Sequence, residues 1–262
     1  MKVLLTNDDG ITATGLNVLR RALLDVPGVE LAVIAPDSNR SATARSITFH
    51  EPLTVEEVEF GDGTSGFATS GTPVDCVRFA ALGLIDFEPE LIVSGINHGA
   101  NLGDDITYSG TVAAAFEGIM LSLPAIAVSQ QLGGDGDLDF DQPAAFVARL
   151  VEELERVPMP EGTLLNVNAP PTEARGVRAC RLGKRIYHDR MELDGEQDGR
   201  RSYRIYTREP GYQYEEGTDF AAIADGYIAV TPLHFDLTDQ AGIEELSSFD
   251  LEALLRPAAR EV

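Results

Sequence analysis

Lysine, tryptophan and cysteine are scarce in this chain of 262 residues. Lys2 and Lys184 are the only lysines, and there is no tryptophan. The two cysteines, Cys76 and Cys180, are too few and too far apart for a disulfide framework or a cysteine-based zinc signature. We therefore exclude small disulfide-stapled domains and zinc modules.

Positive charge is also in short supply. Lysine and arginine together number 20 against 43 aspartates and glutamates, which gives a formal net charge of −23. A general nucleic-acid binder gains its affinity by neutralising phosphates with basic side chains, so this balance argues against a nucleic-acid polymer as partner. It equally disfavours docking on an anionic membrane.

Long apolar runs are missing as well. No stretch approaches the roughly 20 residues that a membrane-spanning helix needs. The N-terminal residues MKVLLTNDDG contain one short apolar run before the acidic residues begin, which is too short for the core of a signal peptide. These two absences predict a cytoplasmic protein.

The acidic residues are spread along the whole chain. Such a surface is typical of proteins adapted to very high salt, where carboxylates hold water and the screening length falls to about 3 Å at 1 M. A specific cationic partner is the alternative interpretation, and we favour salt adaptation. Salt adaptation would indicate the solvent in which the protein works and would not indicate the reaction it catalyses.

Alternating apolar strands and amphipathic helices fill most of the chain. A strand at 2–6, a helix at 15–25 and a strand at 29–35 form the β-α-β opening of a doubly wound parallel sheet. Further strands are predicted at 91–95, 125–129, 164–168, 177–182 and 226–231, a hairpin within 53–69, and helices at 73–82, 111–121, 141–156 and 242–255. The predicted fold is α/β: a Rossmann-like, mostly parallel sheet.

The character of the chain changes after Pro170-Pro171. We expect residues 1–175 to form the α/β catalytic core and residues 176–262 to form a C-terminal portion. Within that portion, residues 183–218 are charged, rich in glycine and tyrosine, and only weakly periodic. This pattern predicts an extended arm or hairpin, followed by a closing strand and a terminal helix.

The first motif with chemical potential is Asn7-Asp8-Asp9-Gly10, directly after the first strand. Ligand crevices of open α/β sheets lie at the carboxyl ends of strands. Two adjacent carboxylates repel each other there, and a divalent cation that prefers oxygen ligands, such as Mg²⁺, Mn²⁺ or Ca²⁺, would relieve the repulsion. The alternative is a simple turn in which an aspartate caps the following helix.

A polar loop at 36–48 follows the strand predicted to neighbour the first. Its hydroxyl and amide groups could complete a metal shell, and its arginines could attract phosphate. An ordinary solvated loop is the alternative. The residues concerned are Asp37, Ser38, Asn39, Arg40, Ser41 and Arg45.

The third motif is SGINHGANLGDDITYSGT at 94–111, between a buried strand and a helix. Its end, Ser109-Gly110-Thr111, places hydroxyls and free backbone N–H groups at a helix N-terminus, which suits a phosphate. It is neither a Walker loop nor a dinucleotide fingerprint. A serine cap on a tightly packed helix is the alternative. His98 is either a general acid or base or an ordinary histidine that is solvated or hydrogen-bonded.

Taken together, the three loops predict metal-assisted phosphoryl chemistry. They also resemble the SurE family, the survival-protein-E type of metal-dependent 5′(3′)-nucleotidase. The resemblance runs through nearly the whole chain in order, and its most specific part is the 30-residue block PELIVSGINHGANLGDDITYSGTVAAAFEG (89–118). The other matching segments are LLTNDDG (4–10), APDSNRSATARSIT (35–48), SGTPVDCV (70–77), PAIAVS (124–129), LLNVNAP (164–170) and GTDFAAIADGYIAVTPLHFDLT (217–238).

The resemblance implies an enzyme that hydrolyses nucleoside 5′- or 3′-monophosphates with Mg²⁺ or Mn²⁺. It implies a homodimer or homotetramer in which C-terminal elements, here 183–218, are exchanged. A nucleotide or metal sensor without turnover, or a polyphosphatase or phosphotransferase, stays as an alternative. By resemblance the metal ligands are Asp8, Asp9, Ser41 and Asn97, the catalytic residues are Asp8 and Asp9, and the phosphate-binding residues are Asn101, Ser109, Gly110 and Thr111.

Overall fold

A mostly parallel sheet of nine strands forms the centre of the computed structural model, which describes residues 1–133, 139–205 and 210–255. The described residues contain thirteen strands, of which β9, β10, β11 and β12 lie outside this sheet. The strands are β1 (Lys2–Thr6), β2 (Glu30–Pro36), β3 (Val55–Glu59), β4 (Ser65–Thr69), β5 (Leu91–His98), β6 (Ala125–Gln130), β7 (Thr163–Ala169), β8 (Val177–Ala179), β9 (Lys184–Ile186), β10 (Glu192–Gln197), β11 (Arg200–Arg204), β12 (Gly211–Gln213) and β13 (Ile228–His234). The helices are α1 (Thr14–Leu24), α2 (Pro73–Ala81), α3 (Gly110–Met120), α4 (Asp141–Glu152), α5 (Asp219–Ala224) and α6 (Gln240–Ser248), with 3-10 turns at Gly103–Thr107, Leu154–Arg156 and Leu251–Leu255.

The strand order of the sheet creates one switch point. The order is β3-β4-β2-β1-β5-β6-β7-β13-β8, and β1 pairs in parallel with both β2 and β5. The chain leaves β1 toward one side of the sheet and later crosses to the other side to form β5. A crevice therefore opens at the carboxyl ends of β1 and β5, where ligands of doubly wound folds bind. The predicted fold class is confirmed.

Two layers of helices cover the sheet because each helix has one apolar stripe. Leu16, Leu19 and Leu23 follow helical spacing along α1 and are fully buried on the face that α1 shares with α4. On the other face, α2 and α3 pack over β1, β5 and β6, with Cys76 completely buried. Each such leucine contributes about 1.5–3 kcal/mol through burial.

Helix starts follow local capping chemistry in some places and tertiary packing in others. The Thr72 side chain accepts from the Asp75 N–H and the Asp75 carboxylate accepts from the Thr72 N–H, which is a capping box ahead of Pro73. Helix α1, in contrast, begins after Ala13 without a side-chain cap. The alternative in which an aspartate of the first motif caps this helix is therefore wrong.

Several elements differ from their predicted bounds. Strand β5 continues to His98, beyond the predicted end, because it pairs again with β6 after an irregularity between Ser94 and Asn97. Helix α5 was not predicted, since six residues are too few for a periodic signal. The terminal helix ends at Ser248, where Phe249 takes an extended conformation.

The C-terminal residues divide between the sheet and its surroundings. Strands β13 and β8 extend the same sheet as the predicted core, with β13 antiparallel to β7. The predicted arm contains the β9–β12 pair and the β10–β11 hairpin. A domain boundary at residue 175 stays a prediction. None of the helices in the described ranges has the length and apolar character that crossing a membrane requires.

Candidate active site

A cleft of about 600 Å³ opens at the carboxyl ends of β1 and β5. Five of the eight predicted site residues line it: Asp8, Ser41, Asn97, Asn101 and Ser109. The other three, Asp9, Gly110 and Thr111, are outside the lining and contact it. Asp9 accepts from the His98 N–H, and Gly110 and Thr111 lie against Asp8. The remaining lining residues are Ala42, His98, Asp105, Tyr108, Tyr187 and Asp189.

The first motif folds into a turn that its own asparagine holds closed. The Asn7 side-chain amide donates to the Gly10 carbonyl at 3.0 Å, and the Gly10 N–H donates to Asn7 Oδ1 at 3.1 Å. Gly10 has a φ of +105°, which permits the turn that adjacent carboxylates need. Asp8 and Asp9 are thereby placed at the edge of the sheet.

Asp8 is a buried carboxylate with a dedicated donor. Only 3% of its surface is exposed, and the hydroxyl of Thr111 donates to its Oδ1. Burial raises the pKa of Asp8, the charge of Asp9 adds to the rise, and the Thr111 hydrogen bond opposes it. A cation beside Asp8 would offset the cost of keeping this carboxylate ionised.

Gly110 lets the N-terminus of α3 approach that carboxylate. A β-carbon at this position would lie 2.8 Å from the Asp8 β-carbon and 2.9 Å from Asp8 Oδ2. Only glycine leaves that space empty. The sequence predicted where α3 begins, but it did not predict that this end of the helix packs against Asp8.

Asp9 is anchored by a backbone group and by an asparagine of the 36–48 loop. Its Oδ2 accepts from the His98 N–H at 3.1 Å, and its Oδ1 accepts from the Asn39 side-chain amide at 3.3 Å. Asn39 Oδ1 in turn accepts from the Ser41 N–H at 2.7 Å. Asn39 therefore links Ser41 to Asp9 through its side chain. The sequence analysis named Asn39 as one polar residue of the loop but did not predict this positioning role.

The two arginines of the loop do not reach the cleft. Arg40 donates to Asp37 Oδ1 and to the Ser70 carbonyl, both at 3.0 Å. Arg45 pairs with the buried Glu117 at 2.8 Å, away from the cleft lining. Neither arginine lines the cleft and each is paired with a carboxylate, so the expectation that they contact a phosphate in this cleft is wrong.

A buried polar network fixes Asn101. Its backbone N–H donates to Asn168 Oδ1 at 2.8 Å, and its side-chain amide donates to Ser129 Oγ at 2.7 Å. The Asn101 carbonyl accepts from the side chains of Asn166 and Asn168. The polar residues within the predicted strands 125–129 and 164–168 were the available signal for this network.

Ser109 serves as the N-cap of α3. Its Oγ accepts from the Val112 N–H at 3.1 Å, so the capping interpretation is confirmed, and the same residue lines the cleft. Thr111 is fully buried and gives its hydroxyl to Asp8. Its side chain therefore positions Asp8 and does not face the cleft.

The His98 imidazole is held between two elements. Its Nε2 accepts from the Gly15 N–H at 3.3 Å, and its ring stacks on Phe140 with a centroid separation of 4.8 Å. A β-carbon on Gly15 would lie 2.2 Å from the Ile96 carbonyl oxygen, so α1 packs directly on β5 here. These contacts favour the hydrogen-bonded interpretation of His98 over general acid–base chemistry.

The arm of the chain supplies one side of the cleft mouth. Arg185 Nε donates to Asp105 Oδ2 at 2.7 Å, and the Tyr187 hydroxyl donates to Asp105 Oδ1 at 2.7 Å. The root of the arm is fixed by Asp219, whose carboxylate accepts from the N–H groups of Gly103 and Gly183. No sequence pattern connects residues that lie so far apart in the chain.

The donor chemistry of the cleft suits a hard cation. Asp8 and Asp9 supply carboxylates, while Ser41 and Asn97 supply neutral oxygens. Within residues 1–133, 139–205 and 210–255, no group of three or more histidine, cysteine, aspartate or glutamate side chains is placed to hold a metal. Two carboxylates with neutral oxygens fit Mg²⁺ or Mn²⁺ better than zinc.

Comparison with known proteins decides the family. The model of the family described as Survival protein SurE matches residues 3–189. The chain belongs to the SurE family. The matched range contains every predicted site residue and the arm as far as Asp189.

Individual SurE proteins extend the similarity to the whole chain. The 5′-nucleotidase SurE of Rubrobacter xylanophilus is 51% identical, covering 97% of this chain and 99% of that protein. The protein of the same name from Chloroflexus aggregans is 45% identical, covering 96% and 100%. The crystal structure of the SurE protein from Aquifex aeolicus matches with a TM-score of 0.79 at 38% identity, covering 94% of this chain and 100% of that one.

Proposed function

We propose that this SurE-family protein is a metal-dependent phosphomonoesterase that hydrolyses nucleoside 5′-monophosphates, and 3′-monophosphates as a second class, to nucleoside and phosphate. The observation that carries the proposal is the contact between the buried Asp8 carboxylate and the N-terminus of α3. This contact places the carboxylate proposed to bind the cation next to the helix N-terminus proposed to bind the phosphate. Relatives named 5′-nucleotidase SurE support the same activity.

The metal ligands in this proposal are Asp8, Asp9, Ser41 and Asn97. A bound Mg²⁺ or Mn²⁺ would polarise the phosphoryl group and lower the pKa of the attacking water. Hydrogen bonds orient the two carboxylates: the Thr111 hydroxyl donates to Asp8, and the Asn39 amide and the His98 N–H donate to Asp9. Asp9 is the less buried of the two carboxylates, so we assign it the role of orienting or deprotonating the water.

The phosphate-binding residues in this proposal are Asn101, Ser109, Gly110 and Thr111. The first N–H groups of a helix lack intrahelical acceptors and carry the positive end of the helix dipole. At the start of α3 they would hold the phosphate oxygens and stabilise the charge that develops during transfer. Asn101, fixed by its buried network, would supply a further polar group at the cleft wall.

The test is phosphate release from AMP with and without chelator. We expect EDTA to abolish release and added Mg²⁺ or Mn²⁺ to restore it, and full activity in EDTA would overturn the metal mechanism. Tight AMP binding without release would favour a sensor. A parallel panel with polyphosphate and an acceptor alcohol separates a nucleotidase from a polyphosphatase or phosphotransferase.

The active form in this proposal is a homodimer or homotetramer. No residue of α6 is buried within the chain, and Leu246, Phe249 and Leu254 expose large apolar surfaces nearby. Within the described residues, the β10–β11 hairpin forms a two-stranded sheet of its own. Exposed apolar segments of this kind mark interfaces. Exchange of the 183–218 arm between subunits belongs to the same proposal, and it would involve the outer β10–β11 hairpin, since Arg185 and Tyr187 contact Asp105 of their own chain.

The net charge of −23 supports a further proposal about the solvent. We propose that the enzyme works in a cytoplasm of high salt, where its carboxylates are screened from one another and from the anionic substrate.

A further inference from the structure

The mouth of the cleft differs in chemistry from its floor. The floor consists of carboxylate, amide and hydroxyl groups, whereas the mouth contains two tyrosines, Tyr108 and Tyr187. Their exposed fractions are 58% and 42%, which is high for large aromatic side chains. Among the described residues, five tyrosines are at least 41% exposed, and Tyr108 and Tyr187 are the two of these that line this cleft.

Tyr187 is held in its exposed position by a polar anchor. Its hydroxyl donates to Asp105 Oδ1 at 2.7 Å, and Asp105 is itself fixed by Arg185. Arg185 lies over the Phe220 ring, with its guanidinium carbon 4.6 Å from the ring centroid. The ring of Tyr187 is therefore pre-ordered at the cleft mouth rather than free to collapse onto the surface.

Tyr108 directly precedes the proposed phosphate end of the site. Its N–H donates to the Asp105 carbonyl at 2.9 Å, and its own carbonyl accepts from the Ala44 N–H at 3.1 Å. Its backbone is thus fixed, and the next residue, Ser109, caps α3. A ligand whose phosphate lies at the start of α3 would extend its other end toward this ring.

We propose that Tyr108 and Tyr187 form the subsite for the base of the nucleotide, and that they bind it by stacking. This inference rests on the proposed nucleotidase function. Every base has a π-face, so aromatic stacking accepts every base without reading its hydrogen-bonding edge. Asp105, which accepts from the Tyr187 hydroxyl, is also engaged by Arg185 and is therefore not free to read a base edge.

The proposal predicts a specific pattern of preference. Larger bases offer more stacking area, so purine nucleotides should bind better than pyrimidine nucleotides. Phosphomonoesters without a base should use the floor of the cleft alone. Removal of a ring at the mouth should therefore affect AMP and leave ribose 5-phosphate unchanged.

The experiment compares AMP with ribose 5-phosphate in three variants: Tyr108→Ala, Tyr187→Ala and Tyr187→Phe. Each alanine variant should lower kcat/KM for AMP by roughly tenfold, mainly through KM, because stacking on one ring is typically worth that much. Values for ribose 5-phosphate should stay at the wild-type level. Tyr187→Phe keeps the ring and should lose less than Tyr187→Ala. Phe49→Ala, which removes a ring that is 79% exposed and lies outside both the cleft lining and the arm, is the matched control.

The outcomes separate this inference from the proposed function. If the wild type hydrolyses both substrates and the alanine variants keep the AMP preference, the subsite is overturned and the nucleotidase stands. An equal loss for both substrates would overturn it too, because the rings would then support the fold. If the wild type hydrolyses neither substrate, the proposed function fails. Calorimetric titration with AMP and ribose 5-phosphate then tests the subsite directly, and equal affinities in wild type and alanine variants would overturn it.

Discussion

The floor of the cleft and the C-terminal tail place side chains in opposite environments. On the floor, polar groups such as Asp8, Asn101 and Thr111 are buried and hydrogen-bonded. In the tail, residues 240–255, apolar groups such as Leu246 and Phe249 are exposed. Buried polar groups need partners, and exposed apolar groups lower solubility unless something covers them. The polar groups of the floor find their partners within one chain, whereas the apolar groups of the tail would be covered only in the oligomer proposed above.

The largest effect should follow from changing the floor at Asp9. In Asp9→Asn the side-chain carbonyl oxygen can still accept from the His98 N–H, so the fold should persist while a charge is lost. We expect kcat for AMP to fall by on the order of 10²–10⁴, the contribution typical of a positioned general base. Circular dichroism should match the wild type.

Asp25→Asn, at the exposed end of α1, is the control for a general charge effect. A near-wild-type rate for Asp9→Asn would remove Asp9 from the proposed chemistry.

Gly110→Ala tests the close approach of α3 to Asp8. The added β-carbon would lie 2.8 Å from the Asp8 β-carbon, so α3 or the turn must move. Overpacking of this kind costs about 1–3 kcal/mol, and the same shift should displace the proposed ligands. We expect a lower free energy of unfolding in urea and a lower kcat.

Gly195→Ala is the matched control, since its nearest neighbour would be Ser202 Oγ at 3.5 Å. If Gly110→Ala is as stable and active as that control, the contact has no role.

Substitutions in the tail should change the oligomeric state of the protein rather than its catalytic chemistry. We expect Leu246→Asp combined with Phe249→Asp to convert the oligomer to monomers in analytical ultracentrifugation, because two charges would enter an apolar interface. The core should stay folded. The control is Leu82→Asp, which places a charge at a leucine that is 83% exposed outside the tail. An unchanged oligomer would mean that the tail is not the interface.

The same contrast explains which features the sequence could predict. The turn at Asn7–Gly10 and the start of α3 depend on neighbours in the chain, so local patterns indicated them. The contact between Gly110 and Asp8 and the placement of Tyr187 depend on residues brought together by the sheet and the arm. No periodicity carries such information. Arg45 was misleading for the same reason, since its partner Glu117 lies far along the chain.

Salt should produce the smallest effect and act differently on the two regions. Raising KCl from 0.1 M to 1 M shortens the screening length from about 10 Å to about 3 Å, which reduces repulsion among surface carboxylates. The hydrogen bonds of the buried floor are screened much less, so the gain should come from the surface. We expect stability and activity to rise together, with a gain of about 1 kcal/mol and a Tm higher by roughly 2–4 °C. Sucrose at equal osmolality is the control, because it leaves charge repulsion unscreened. A steady fall in Tm and rate from low salt onward would contradict salt adaptation while leaving the chemistry of the floor intact.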